Sequence, residues 1–136
     1  MFAAMPRILV AHQDLDARLI LCAALEHAGY SPRALVDPDR VLEEACGCSL
    51  VVTDFPMRLS HGKTLTEALR EHPPTADVPI LNATTHAMRA ELEAASHAGV
   101  TETLVLPTAL GDILAMVRRL VGLPDASATA PPRSPA

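Results

Sequence analysis

A chain of 136 residues, 49% hydrophobic and 20% charged, has the balance of a single globular domain with a full core, and is too apolar for a disordered or fibrous protein. Two Phe, one Tyr and no Trp, with a net charge of -5, leave no stacking platform for single-stranded nucleic acid and no basic surface to track phosphates. No stretch reaches the apolar length of a membrane span. Met1 to Ala11 lack the basic start, long apolar stretch and cleavage site of a signal peptide, so the sequence predicts a cytoplasmic protein without a nucleic-acid or membrane partner.

In chain order, five apolar runs alternate with helical patterns: Arg7 to Ala11, Pro32 to Val36, Leu50 to Thr53, Pro79 to Ala83 and Glu102 to Leu106. Such alternation predicts an α/β fold with a parallel sheet built from βαβ units. After the first run, a helix opened by Asp14 or Asp16 sets Ala17, Ile20, Leu21, Ala24, Leu25 and Ala28 on one face and stops at Gly29. Pro32 cannot donate to a ladder on both sides, which places the second run at a sheet edge and favours the doubly wound order 2-1-3-4-5. Asp37-Pro38 then caps and opens a helix with Val41, Leu42 and Ala45 inward.

Cys22, Cys46 and Cys48 are odd in number, and Cys46-Gly47-Cys48 is too closely spaced for a zinc pair, so buried free thiols are expected. The third helix, about Lys63 to His72, buries Leu65, Ala68 and Leu69 before Pro73-Pro74. The fourth, from near His86 to Ala98, aligns Met88, Leu92 and Ala95 and closes at Gly99. The fifth carries Leu110, Ile113, Leu114, Val117, Leu120 and Val121 on one stripe, the clearest amphipathic pattern in the chain. The expected organisation is one domain over residues 1–122 and a disordered Pro/Ala-rich tail over 123–136.

In the 2-1-3-4-5 order, ligands sit in the crevice beyond the carboxyl ends of the strands. His12 and Gln13 end the first strand, Asp54 the third, Thr84 the fourth and Leu106-Pro107 the fifth, so these positions are expected to converge on one pocket. No glycine-rich phosphate loop follows the first strand, which counts against a nucleotide enzyme.

On these residues the chain resembles the receiver domain of a two-component response regulator over roughly Pro6 to Val121, with a flavodoxin-like fold. The family's phosphoacceptor, an aspartate eight residues before a glycine, corresponds to Asp54 with Gly62. Its phosphoryl-binding Ser/Thr corresponds to Thr84, in Val78-Pro79-Ile80-Leu81-Asn82-Ala83-Thr84. The acidic pair that closes the first strand reads His12 and Gln13 here, with Asp14 one residue further on. In Gly99-Val100-Thr101-Glu102-Thr103-Leu104-Val105-Leu106-Pro107 the glycine and proline remain, while Thr103 stands at the aromatic switch position and Leu106 at the lysine position. The resemblance implies a cis peptide before Pro107.

Mg²⁺ demands near-octahedral oxygen ligands and relies on carboxylates, so weak or absent Mg²⁺ binding and no cofactor are expected. Losing the lysine removes the cation that would pair with a phosphoryl oxygen. His12 reads either as a ligand or proton-linked partner of Asp54 with a charged ring, or as a partly exposed neutral imidazole. His61 and His86 are weaker ligand candidates, and Arg58 and Lys63 are either substitutes for the missing lysine or solvated cations. The resulting expectation is a stand-alone, non-enzymatic atypical receiver that acts by protein contact through its fourth helix, fifth strand and fifth helix, about His86 to Val121, with impaired or absent phosphorylation at Asp54. The alternative is a conventional single-domain regulator phosphorylated on Asp54 by a histidine kinase or phosphotransfer protein.

Overall fold

The structure, a computed structural model, describes residues 6–85 and 88–122. The strands are β1 (Arg7–Ala11), β2 (Ser31–Ala34), β3 (Leu50–Thr53), β4 (Ile80–Thr84) and β5 (Glu102–Val105). The helices are α1 (Leu15–His27), α2 (Pro38–Glu44), α3 (Leu65–Glu71), α4 (Arg89–Ala98) and α5 (Leu110–Val121), and a short 3₁₀ turn spans Pro73–Thr75. The five strands form one parallel sheet in the order β2-β1-β3-β4-β5, with the proline-bearing β2 at an edge, as its missing donor requires.

Alternation along each strand divides the core into two halves. Ile8, Val10, Leu50, Val52, Leu81, Ala83 and Leu104 pack with Leu21, Leu25, Ile113 and Val117 from α1 and α5. Leu9, Ala11, Val51 and Ile80 face the other way, onto Val41, Ala45, Leu65, Ala68 and Leu69 from α2 and α3. β3 is central and buried along its whole length, and each of its aliphatic side chains contributes about 1.5–3 kcal/mol by leaving water.

Local chemistry sets the boundaries. Asp14 caps α1 by accepting from the Asp16 amide, Asp37 caps α2 through the Asp39 amide, and Thr64 with Glu67 forms a reciprocal capping box on α3. At the other end of the sheet, the half-buried Arg70 donates to the carbonyls of Gly99, Ala76 and Val78 and to Thr101 Oγ1, and burial lowers its pKa. Tyr30 is buried below α1, and its hydroxyl donates to the Gly122 carbonyl at 2.7 Å. That bond pins the end of α5.

Several expectations are corrected. β2 begins at Ser31 and ends at Ala34; the Leu35 amide still bonds Val10, but Val36 is 64% exposed because the ladder has already ended. β4 runs one residue later than expected and β5 ends one residue earlier. Ile20 and Leu110 are exposed rather than inside, since both line a groove left between α1 and α5. Met88 precedes α4 as its N-cap and is exposed. The thiols are free as expected, but Cys46 is exposed and Cys22 and Cys48 are only partly buried. The tail, residues 123–136, lies outside the described residues.

Gly99 closes α4 at φ +116°, and a Cβ there would meet Arg70 Cγ at 2.7 Å, whereas Gly62 has φ +99° with open space around it. Gly99→Ala should therefore lose more stability in urea denaturation than Gly62→Ala, which bears only a left-handed backbone cost of about 1–2 kcal/mol. Equal losses would show that the Arg70 contact carries nothing. On the α2 side, hydrogen bonds from Arg33 first and Arg40 second hold the Glu44 carboxyl down at about 2. A depressed carboxyl pKa stabilises the fold above the unfolded value of 4.5 and loses that contribution as pH falls toward 2. Acid denaturation of Glu44→Gln should show a shallower decline across that window than the parent chain.

Candidate functional site

The sheet register builds the site. Ala11 pairs with Thr53 and Thr53 with Asn82, so the next residues along, His12, Asp54 and Ala83, stand side by side at the carboxyl edge. His12 is 2% exposed. Its Nε2 lies 2.8 Å from the Ala83 carbonyl oxygen, and its Nδ1 accepts from the Asp14 amide at 3.1 Å. Strands lie about 4.8 Å apart, so the imidazole spans from β1 over the end of β3 to β4. It passes 4.0 Å from the Asp54 carboxylate.

With Nδ1 accepting from the Asp14 amide, Nε2 is the nitrogen that donates to the Ala83 carbonyl. His12 is thus close to Asp54, as expected. It is buried rather than partly exposed, and Nδ1 is the nitrogen that faces Asp54. Arg18 completes the corner by donating Nη1–H to the His12 carbonyl.

Asp54 keeps 22% of its side chain exposed. With the exposed Gln13 it lines a cleft of about 380 Å³ whose other walls are Phe55, Pro56, Met57 and Arg58. Thr84 is buried and belongs to a neighbouring cleft of about 340 Å³, shared by Phe55, Pro56, Arg58, Asn82 and the α4 residues Ala90, Glu91 and Ala94. Leu106 lies apart, in a pocket with Asp14, Asp16, Thr85 and Pro107. The first two clefts meet along Phe55, Pro56 and Arg58, which line both. The His12 ring occupies the ground between the strand ends, and the Leu106 side chain packs against the α1–α5 core cluster, where a leucine is better placed than beside a carboxylate.

The peptide before Pro107 is cis, as expected, and so is that between Phe55 and Pro56. The Leu106 amide donates to the Thr84 carbonyl at 2.7 Å. Thr103 is half-buried on β5 opposite Asn82. Asn82 Oδ1 accepts from the Phe55 amide at 2.9 Å, while its Nδ2 reaches Thr103 Oγ1 at 3.5 Å. Asn82 was not among the expected site residues, although a lone amide inside the apolar run Ile80-Leu81-Asn82-Ala83 was a visible signal: a buried polar group needs partners.

The cations near Asp54 are engaged. Arg58 donates to the Gly62 carbonyl and Lys63 pairs with Glu71. His61 is exposed and accepts from the Lys63 amide, and His86 lies outside the described residues. The donors around Asp54 are one carboxylate, the Gln13 amide and a ring with both nitrogens occupied; Asp14 is committed to the α1 cap. Among the described residues no group of three or more His, Cys, Asp or Glu side chains is placed to hold a metal ion.

An open parallel sheet with an aspartate at its carboxyl edge, beside the strand-order reversal, defines a doubly wound α/β fold. The fold is that of response regulator receiver domains. The chain is similar to the chemotaxis protein CheY4 of Vibrio cholerae, with a TM-score of 0.75 and 24% identity, covering 86% of this chain and 99% of that one. It is similar too to the receiver domain of the sensor histidine kinase PA1611 from Pseudomonas aeruginosa, which holds a magnesium ion in its active-site cleft (TM-score 0.75, 20% identity, 88% and 99% covered). In sequence it is 28% identical over 123 residues to the DNA-binding dual master transcriptional regulator RpaA of Synechocystis. That match takes in 89% of the chain and spans about half, 51%, of the relative's length. No protein-family model matches. Among the described residues, no helix is long and apolar enough to cross a membrane.

Replacing His12 by Phe keeps a ring of similar size but leaves the buried Ala83 carbonyl without its donor. The expected loss is about 1–3 kcal/mol of unfolding free energy, read from urea denaturation, and an unchanged midpoint would rule out a structural role for that bond.

Proposed function

We propose that the chain is an atypical receiver domain of two-component signalling that acts by protein–protein contact, with Mg²⁺-dependent phosphorylation at Asp54 impaired or absent. The observation that carries this reading is the His12 ring, buried beside Asp54 and bonded to Ala83. In the receiver scheme that ground belongs to carboxylates and their cation. An imidazole tied at both nitrogens offers no carboxylate, and its removal from the site would break two hydrogen bonds.

The remaining substitutions point the same way. Leu106 supplies no ammonium for a phosphoryl oxygen, and its side chain is packed into the core. Thr103 has no ring to bury, so an aromatic readout of site occupancy is not part of this reading. Thr84 stands at the phosphoryl-binding position, buried at the end of β4. The proposed output face is the α4, β5 and α5 surface within residues 88–121, and the proposed partner is a signalling protein, a histidine kinase or phosphotransfer protein among the possibilities, in the cytoplasm. The domain itself catalyses nothing in this scheme.

The conventional reading keeps one observation in its favour. Asp54 opens to solvent at the carboxyl end of β3, where a phosphodonor can reach it. Incubation with acetyl phosphate and Mg²⁺ followed by intact-mass measurement separates the two. The parent chain should show no phosphoryl adduct; an adduct abolished by Asp54→Asn would overturn the proposal. Converting His12 and Gln13 together to Asp should strengthen Mg²⁺ binding, followed by amide shifts around Asp54, because two carboxylates join the one already there.

A further inference from the structure

At the opposite end of β3 from Asp54, Cys46, Gly47 and Cys48 form the turn between α2 and β3. The Cys48 amide donates to the Ala45 carbonyl at 3.0 Å, which closes the turn, and Gly47 sits at φ +80° in its third position. That left-handed value is natural for glycine. An extended chain holds Cα atoms two residues apart at about 7 Å, and a turn draws them nearer, toward the range of about 4.4–6.8 Å in which disulfides form.

The two thiols differ in setting. Cys46 is exposed, while Cys48 is partly buried against the Leu9 and Val51 side of the core, with Sγ donating to the Leu50 carbonyl at 3.1 Å. Burial raises the Cys48 pKa, with the Arg7 charge acting in the opposite direction. The Arg7 guanidinium lies over the turn, donating to the carbonyls of Cys46 and Glu44. Exposure makes the Cys46 sulfur the one an oxidant meets first, and the shielded thiol two residues away is placed to resolve the product.

We propose that Cys46 and Cys48 form a reversible dithiol site for hydroperoxides, with Cys46 as the attacking and Cys48 as the resolving sulfur. The Cys46 sulfur gives up its proton and takes one oxygen of the peroxide, forming a sulfenic acid. The O–O bond breaks, and the leaving alkoxide or hydroxide collects that proton. The Cys48 sulfur then displaces the sulfenic hydroxyl, which leaves with the Cys48 proton as water, and the S–S bond closes. Each sulfur is oxidised by one electron, and the peroxide bond takes up both. A dithiol reductant reverses the change. The site is independent of any signalling role for Asp54.

The test treats the reduced full chain with equimolar hydrogen peroxide, alkylates the remaining thiols and reads intact mass and peptide fragments. The expected product has lost two hydrogens, carries a label only on Cys22, yields a fragment with Cys46 linked to Cys48, and returns to three labelled thiols after dithiothreitol. In Cys48→Ser, Cys46 should stop at a sulfenic acid that dimedone captures. Overoxidised Cys46 with Cys48 still labelled, a bridge between chains, a bridge to Cys22, or three unreacted thiols would each overturn the proposal.

Discussion

The hydrogen bond from His12 to the Ala83 carbonyl joins the ends of two strands that are not neighbours. β1 and β4 are separated by β3, and a side chain that crosses the gap must lie over the end of the strand between them. That single constraint fixes what else the carboxyl edge can hold. It brings the ring beside Asp54, leaves Gln13 outside in solvent, and ties the first turn of α1 to the sheet through the Asp14 amide and Arg18. A buried imidazole costs little here because both nitrogens have partners.

Around this lock runs a second polar chain, from the Phe55 amide through Asn82 to Thr103. It links the loop after Asp54 with β4 and β5 through the Asn82 and Thr103 side chains. Its members are small and the Asn82–Thr103 contact is long, so it holds position more than it stores energy. α4, alongside, is less firmly seated, with Ala95 its sole fully buried residue. A helix with so little buried apolar surface opens at lower free energy than the strands beside it.

The sheet order and the residues that border the site were legible because they rest on strong local signals. Pro32 marked an edge, apolar runs marked strands, and the residues after those runs had to lie on one edge of a parallel sheet. Ile20, Met88 and Leu110 were misplaced for a common reason: periodicity reports which face of a helix is apolar, while burial depends on how closely the next helix approaches. The packing around the site was beyond reach of the sequence for a different reason. Nothing in His12 as a letter tells that its ring turns inward across β3, and nothing in Leu106 tells that the core claims it. Asn82 was readable in principle, since an amide inside a buried strand must find partners, and the run that contains it was read only for its apolar neighbours.

The hydroxyl of Tyr30 and the carbonyl of Gly122 fix the position of the end of α5. Tyr30 follows the last turn of α1, at the edge where the parallel strands begin, so residue 122 is anchored there too. Asp54 is at the other edge, a strand length of roughly 15 Å away. Residue 122 is therefore held at the far end of the strands from Asp54, moored by one phenol rather than by the helix end alone. That separation keeps the mouth of the cleft at Asp54 clear of the anchored end of α5.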